Sequence, residues 1–188
     1  NDGSGAFYDS GESLGIPKDR WFASEDPFGD LDGDGDLDVL VRSRSDSNEA
    51  IEIWLNDGSG AFYDSGQTIG DLEDFHSPVL GDLDGDGDLD AWVSNWEGAS
   101  SNVWINDGSG RFTDSGQSLG DSGVIGLVLG DLDVDGDLDA ITSRDGTFKT
   151  EGPNKIWLND GSGYFTDSEQ SLGDSNTFPS PLKGVVLG

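Results

Sequence analysis

The sequence predicts an all-β fold, a propeller-like array of four-stranded antiparallel blades with three complete blades and a partial blade at each end. Two repeated markers and the absence of any helical period carry that expectation. An acidic, glycine-bearing segment recurs as GDLDGDGDLDVLV from Gly29 to Val41, GDLDGDGDLDAWV from Gly81 to Val93 and GDLDVDGDLDAIT from Gly130 to Thr142, 52 and 49 residues apart. A second marker, NDGSG, opens at Asn1, Asn56, Asn106 and Asn159, with spacings of 55, 50 and 53. One unit of about fifty residues is therefore used repeatedly, a period that belongs to propellers and related arrays.

Each unit reads as four short strands. An inner strand runs into the acidic loop, as in Ser77 to Leu80 and Ile125 to Leu129, and the loop turns the chain into a second strand at Asp38 to Val41, Ala91 to Val93 or Ala140 to Thr142. The third strand is Ile51 to Leu55, Asn102 to Ile105 or Lys155 to Leu158, rich in β-branched and aromatic residues. NDGSG then supplies a tight turn into a fourth strand at Phe62, Phe112 or Phe165. The units differ most between Ile16 and Phe28, which reads as a connection leading to the first acidic loop. The expected divisions are residues 1–15 (an outer strand), 16–70, 71–120, 121–173 (the complete blades) and 174–188, where FPSPLKGVVLG matches an inner strand.

Composition narrows the chemistry. Of 188 residues 32% are apolar, 30 are glycine and the formal charge is −30, a balance that repels phosphate and argues against a nucleic-acid partner. Fifteen of the 39 acidic residues lie in the three loops, so three divalent ions would cancel six charges and leave a strongly acidic exterior. There is no cysteine, hence no disulfide framework, and no run of eighteen apolar residues or signal-peptide pattern that would direct membrane insertion. Stapling must come from packing, assembly or metal.

Metal is what the loops offer. Asp30, Asp32, Asp34, Asp36 and Asp38 fall on every second residue, as do Asp82, Asp84, Asp86, Asp88 and Asp90, and Asp131, Asp133, Asp135, Asp137 and Asp139. Carboxylates packed this closely repel one another unless a hard cation draws them together. All-oxygen ligation without a nearby His or Cys argues against zinc or copper, and the crowding suits calcium better than magnesium; three Ca2+ sites are expected. An EF-hand would need a glutamate at loop position twelve, where Val41, Val93 and Thr142 stand.

The loop and the period together resemble the FG-GAP/VCBS-type repeats of integrin alpha-subunit propellers and of many bacterial secreted proteins, whose blades carry a D-x-D-x-D-G-x-x-D calcium loop between the first two strands. The FG-GAP peptides themselves are degenerate in this chain. The resemblance implies side-chain ligands at Asp30, Asp32, Asp34 and Asp38, with the backbone carbonyl of Asp36. It implies the same roles for Asp82, Asp84, Asp86, Asp90 and the Asp88 carbonyl, and for Asp131, Asp133, Asp135, Asp139 and the Asp137 carbonyl. Gly35, Gly87 and Gly136 would permit the bend.

The functional expectation is a non-catalytic, calcium-stabilised structural or adhesive module outside the cell, assembling end to end into a ring, fibre or surface layer or continuing as a longer repeat chain. The alternative is a carbohydrate-binding, lectin-like propeller or the accessory domain of a secreted polysaccharide-active enzyme. Trp54, Trp104 and Trp157 share one repeat position and read as packing residues, as does Trp92, whereas Trp21 and Trp96 lack counterparts and are the sugar-stacking candidates. His76 is the only histidine and has no nucleophile motif to serve, so catalysis is not expected.

Overall fold

The computed structural model describes residues 15–24, 27–45, 48–70, 75–95, 100–120, 124–144 and 153–172. Among them there is no helix, and the strands form three antiparallel sheets. In the first, β1 (Arg20–Phe22), β3 (Asp38–Ser45), β4 (Asn48–Asn56) and β5 (Phe62–Ile69) lie in that order, and β2 (Phe28–Gly29) also pairs with β3. The second runs β6 (Phe75–Gly81), β7 (Asp90–Asn95), β8 (Asn102–Asn106), β9 (Phe112–Asp114). The third runs β10 (Val124–Gly130), β11 (Asp139–Arg144), β12 (Asn154–Asn159), β13 (Phe165–Leu172). Chain order and spatial order coincide within each sheet, the up-and-down topology of a propeller-like blade array.

The stretch expected to be a connection before the first loop is instead a broken inner strand. β1 pairs Phe22 with Val41 and β2 pairs Phe28 with Val39. Leu40 spans the gap, its N–H donating to the Pro27 carbonyl and its carbonyl accepting from Ala23 N–H. No backbone group of Leu40 is lost, so the insertion is tolerated.

Strand alternation gives each sheet two apolar faces. The front carries Val39 and Trp54, aligned across β3 and β4, with Ala91 and Trp104 or Ala140 and Trp157 at the same register in the other sheets. The back carries Leu40 and Ile53, then Trp92 and Val103, then Ile141 and Ile156. The back of the first sheet packs on the front of the second, joining Leu40, Ile51, Ile53 and Ile69 to Ala91, Val93 and Phe112. The back of the second packs on the front of the third through Trp92, Val103 and Leu119 against Ala140, Trp157 and Phe165. Trp92 is fully buried, its ring edge-on to Phe165 at 4.7 Å and to Trp157 at 6.3 Å. Burial of a side chain this large stabilises by several kcal/mol, about 3–5 on truncation to alanine. The tryptophans at the shared repeat position are thus packing residues, as expected: Trp54 and Trp157 are buried and Trp104 packs against the first junction.

Polar contacts fix the same junctions. The Gln67 amide donates to the Phe112 carbonyl and accepts from Phe112 N–H at 3.1 Å. Gln117 repeats the device one sheet on, donating to Gly163 O at 2.6 Å and accepting from Phe165 N–H at 2.8 Å. The expected partial blades lie outside the described residues apart from Gly15.

Candidate metal centres in the acidic loops

Each acidic loop joins the innermost strand to the next one and is closed by its own carboxylates. Asp30 Oδ2 accepts from Gly35 N–H at 3.0 Å, Asp82 Oδ2 from Gly87 N–H at 3.1 Å and Asp131 Oδ2 from Gly136 N–H at 3.2 Å. Gly35, Gly87 and Gly136 have φ of 92°, 97° and 104°, the left-handed backbone that only glycine adopts without strain, so they form the bend expected of them. One turn earlier Gly33 and Gly85 are also left-handed, but the third loop places Val134 there at φ 67°.

The last aspartate of each loop is the buried one. Asp38, Asp90 and Asp139 are each fully inaccessible. One oxygen accepts from the leucine N–H within the loop (Leu31, Leu83, Leu132, each 2.8 Å), and the other from the N–H of Asn56, Asn106 or Asn159 at 2.8–2.9 Å. The carboxylate thereby ties the acidic loop to the NDGSG turn of the same sheet. Burial nevertheless disfavours its charge, pushing Asp90 up to about 6 against the pull of these N–H donors, and raising Asp38 as well. Asp32 and Asp84 are also raised, by burial and by the neighbouring Asp34 and Asp86.

The loops gather carboxylate oxygens within 4.8 Å of one another: Asp30, Asp32 and Asp38 in the first, Asp82, Asp84 and Asp86 in the second, Asp131, Asp133 and Asp139 in the third. Asp34, Asp90 and Asp135 stand outside their own loop's group, although the residue at each of those positions belongs to the group in another loop. The fourth aspartate belongs to none. The Asp36, Asp88 and Asp137 carboxylates instead lie against Gly58, Gly108 and Gly161 of the NDGSG turns, so close at Gly58 that an added Cβ would meet Asp36 Oδ2 at 2.7 Å.

A cation fits this donor set. The ligand atoms are all oxygen, several carry charges raised in pKa by burial and mutual repulsion, and Asp30 Oδ1 is buried without a hydrogen-bond partner. An acidic turn held merely by its own N–H groups would not leave that oxygen unpaired.

Sequence reasoning missed the part the NDGSG asparagines play. The Asn106 amide donates to Leu31 O of the first loop at 2.8 Å and to Leu89 O of the second at 3.2 Å. Asn159 does the same to Leu83 O at 2.7 Å and Leu138 O at 3.1 Å. Each asparagine clips two consecutive loops together. Its recurrence at every NDGSG, together with the recurrence of Gln67 and Gln117, is the signal that points to these roles.

A family profile for FG-GAP-like repeats matches residues 30–93 and, overlapping it, 82–142, more than half of the chain. The chain belongs to the FG-GAP-like repeat family. Each match begins on the first aspartate of an acidic loop, at Asp30 and at Asp82, so the family unit is registered on the loop rather than on the strands between loops. No curated protein matches the chain. Of the sugar-stacking candidates, Trp21 is 54% exposed, and Trp96 lies outside the described residues, as does the side chain of His76.

Proposed function

We propose that this FG-GAP-like repeat chain is a non-catalytic structural or adhesive module working outside the cell, with its three acidic loops set by Ca2+. The observation that carries the reading is the threefold grouping of carboxylate oxygens beside backbone already bent around them, with Asp30 Oδ1 unpaired. Asp30, Asp32, Asp34 and Asp38 would hold the ion in the first loop, with the Asp36 carbonyl. Asp82, Asp84, Asp86, Asp90 and the Asp88 carbonyl, and Asp131, Asp133, Asp135, Asp139 and the Asp137 carbonyl, serve the others. When bound, the ion supplies positive charge that offsets carboxylate repulsion.

Asp90 and Asp139 carry the consequence further, because each also holds the N–H of the NDGSG asparagine whose amide grips the preceding loop. Extracellular calcium modules bind on the order of 10⁻⁴ to 10⁻³ M. At a hundredfold excess over that constant each site adds about 2.7 kcal/mol to the folded state. Repeats of this family are generally non-catalytic and extracellular, and no helix among the described residues is long and apolar enough to cross a membrane.

Thermal unfolding in calcium, magnesium and EGTA tests the reading. Calcium is expected to raise the melting temperature well beyond magnesium at equal concentration; equal melting in all three media contradicts it. A second reading, carbohydrate binding, is favoured by the exposure of Trp21, an aromatic ring without a packing role in either junction. Loss of glycan binding in Trp21→Ala, with unchanged melting, would support it.

A further inference from the structure

The two internal junctions are copies of one polar contact, back of one sheet to front of the next, and the outer sheets expose the complementary halves of it. On the back of the third sheet Ile141 and Ile156 are half-buried, whereas Leu40 and Ile53 in the first sheet and Trp92 and Val103 in the second are completely covered. Leu132 is likewise half-buried, against 0% and 1% for Leu31 and Leu83. Gln170 occupies the repeat position of Gln67 and Gln117 but is exposed.

The front of the first sheet shows the other half along its inner edge only, since Val39, Val41 and Trp54 at its centre are already buried. Phe28 and Leu37 are 39% and 59% exposed, while their counterparts in the second sheet, Leu80 and Leu89, are packed into the first junction. Phe22, 53% exposed, lies beside Phe28 with ring centroids 5.3 Å apart. The outer half of this front is filled differently: Ile16 and Phe62 both pack on the buried cluster of Val39, Val41 and Trp54. That is the seat taken by Ile69 on Phe112 in the first junction and by Leu119 on Phe165 in the second, each from the outer edge of the preceding sheet.

We propose that the back of the third sheet docks the front of the first sheet of a second copy of this chain, head to tail, with the incoming sheet displacing Ile16 from its seat. Continuity with the two existing junctions selects the partner: an apolar back carrying a glutamine has twice been matched to a front of this repeat type. A head-to-tail contact does not use up its own ends, so it closes as a ring or extends as a fibre. The charge of −30 opposes the approach of two copies, so calcium and moderate salt favour it. The proposal rests on the reading of the chain as a calcium-set structural module, and its test separates the two.

The experiment is sedimentation velocity of the full chain over a concentration series in calcium, with three variants. Leu37→Lys blocks the front at an exposed site that folding does not need; Ile156→Lys blocks the back, with circular dichroism confirming its sheets; Ile16→Gly vacates the seat. Wild type is expected to associate with concentration, each lysine variant to stay monomeric, and an equimolar mixture of the two lysine variants to stop at dimers through the one intact junction. Ile16→Gly is expected to strengthen association several-fold. A monomeric wild type at all concentrations, a lysine variant that still associates alone, a mixture without dimers, or an Ile16→Gly chain no stronger than wild type each overturns the proposal. Calorimetry on the wild-type chain keeps the readings apart: calcium binding by a wild type that stays monomeric removes only this inference, and absent calcium binding removes the metal reading instead.

Discussion

Asn106→Ala isolates the contact on which the coupling of loops to sheets depends. The wild-type amide donates to Leu31 O at 2.8 Å and to Leu89 O at 3.2 Å. Each bond contributes about 1 kcal/mol net, and stranding a buried carbonyl costs about 1–3 kcal/mol. Against this, Asn106 Oδ1 is itself buried without a partner, and its removal returns part of that cost. The net loss works out at about 2–3 kcal/mol, or about 5–10 °C in melting temperature for a chain of this length. Asn56→Ala is the internal control for the clip: its NH2 reaches only Leu37 O of its own loop at 3.2 Å, and its Oδ1 accepts from Gly58 and Gly60 N–H at 3.1 and 3.2 Å, all in an exposed setting, so the expected loss is about 1 kcal/mol. Urea denaturation of both variants in saturating calcium measures the difference. Losses equal to within about 0.5 kcal/mol would refute the clip between consecutive loops.

Three further outcomes follow from single sites. Val134→Gly relieves a β-branched residue at φ 67° that is 86% exposed, and a gain of about 0.5–1 kcal/mol by denaturant titration is expected; a loss contradicts the strain. Gly161→Ala drives a methyl group into the Asp137 carboxylate at φ 78°, and a cost of at least about 1 kcal/mol is expected, with unchanged stability as the contrary result. In EGTA the pH dependence is set by carboxylates raised by burial. Asp90, at about 6 in the folded chain against 3.8, binds more protons folded than unfolded between those values. Stability therefore rises as pH falls, by about 1.3 kcal/mol from Asp90 between pH 7 and 5 and by about 3 kcal/mol in full only once the pH is below 3.8. Glu52 and Asp167 are lowered, Glu52 because Arg20 and Trp54 overcome its burial and Asp167 by Lys155, and act only below about pH 4.5, where their contribution is lost. In calcium, protons compete with the ion, so the calcium-dependent rise in melting temperature shrinks over the same interval; a calcium increment independent of pH contradicts the assignment.

The loops were legible because an alternation of five aspartates around a glycine has few physical solutions, and the strands because β-branched runs flank every loop at one period. The inner strand of the first sheet was hidden because the apolar pattern stops between Phe22 and Phe28, and only the paired donor and acceptor of Leu40 show that β1 and β2 are one strand interrupted. Within the loops, position along the chain did not reveal that the fourth aspartate turns its carboxylate to the NDGSG glycine, or that the fifth is buried between two N–H donors. Both facts depend on the third strand returning beside the loop, a long-range placement that spacing alone does not encode. The aromatic position shared by Trp54, Trp104 and Trp157 was read correctly as packing because recurrence at one register is what a stacked face demands.

Calcium titration calorimetry of the chain, repeated with Asp38→Asn, Asp90→Asn and Asp139→Asn, addresses the central claim most directly. Three ions bound by the wild type, and one fewer in each variant, is the predicted result; no saturable heat at millimolar calcium, or a stoichiometry unchanged by all three substitutions, would contradict it.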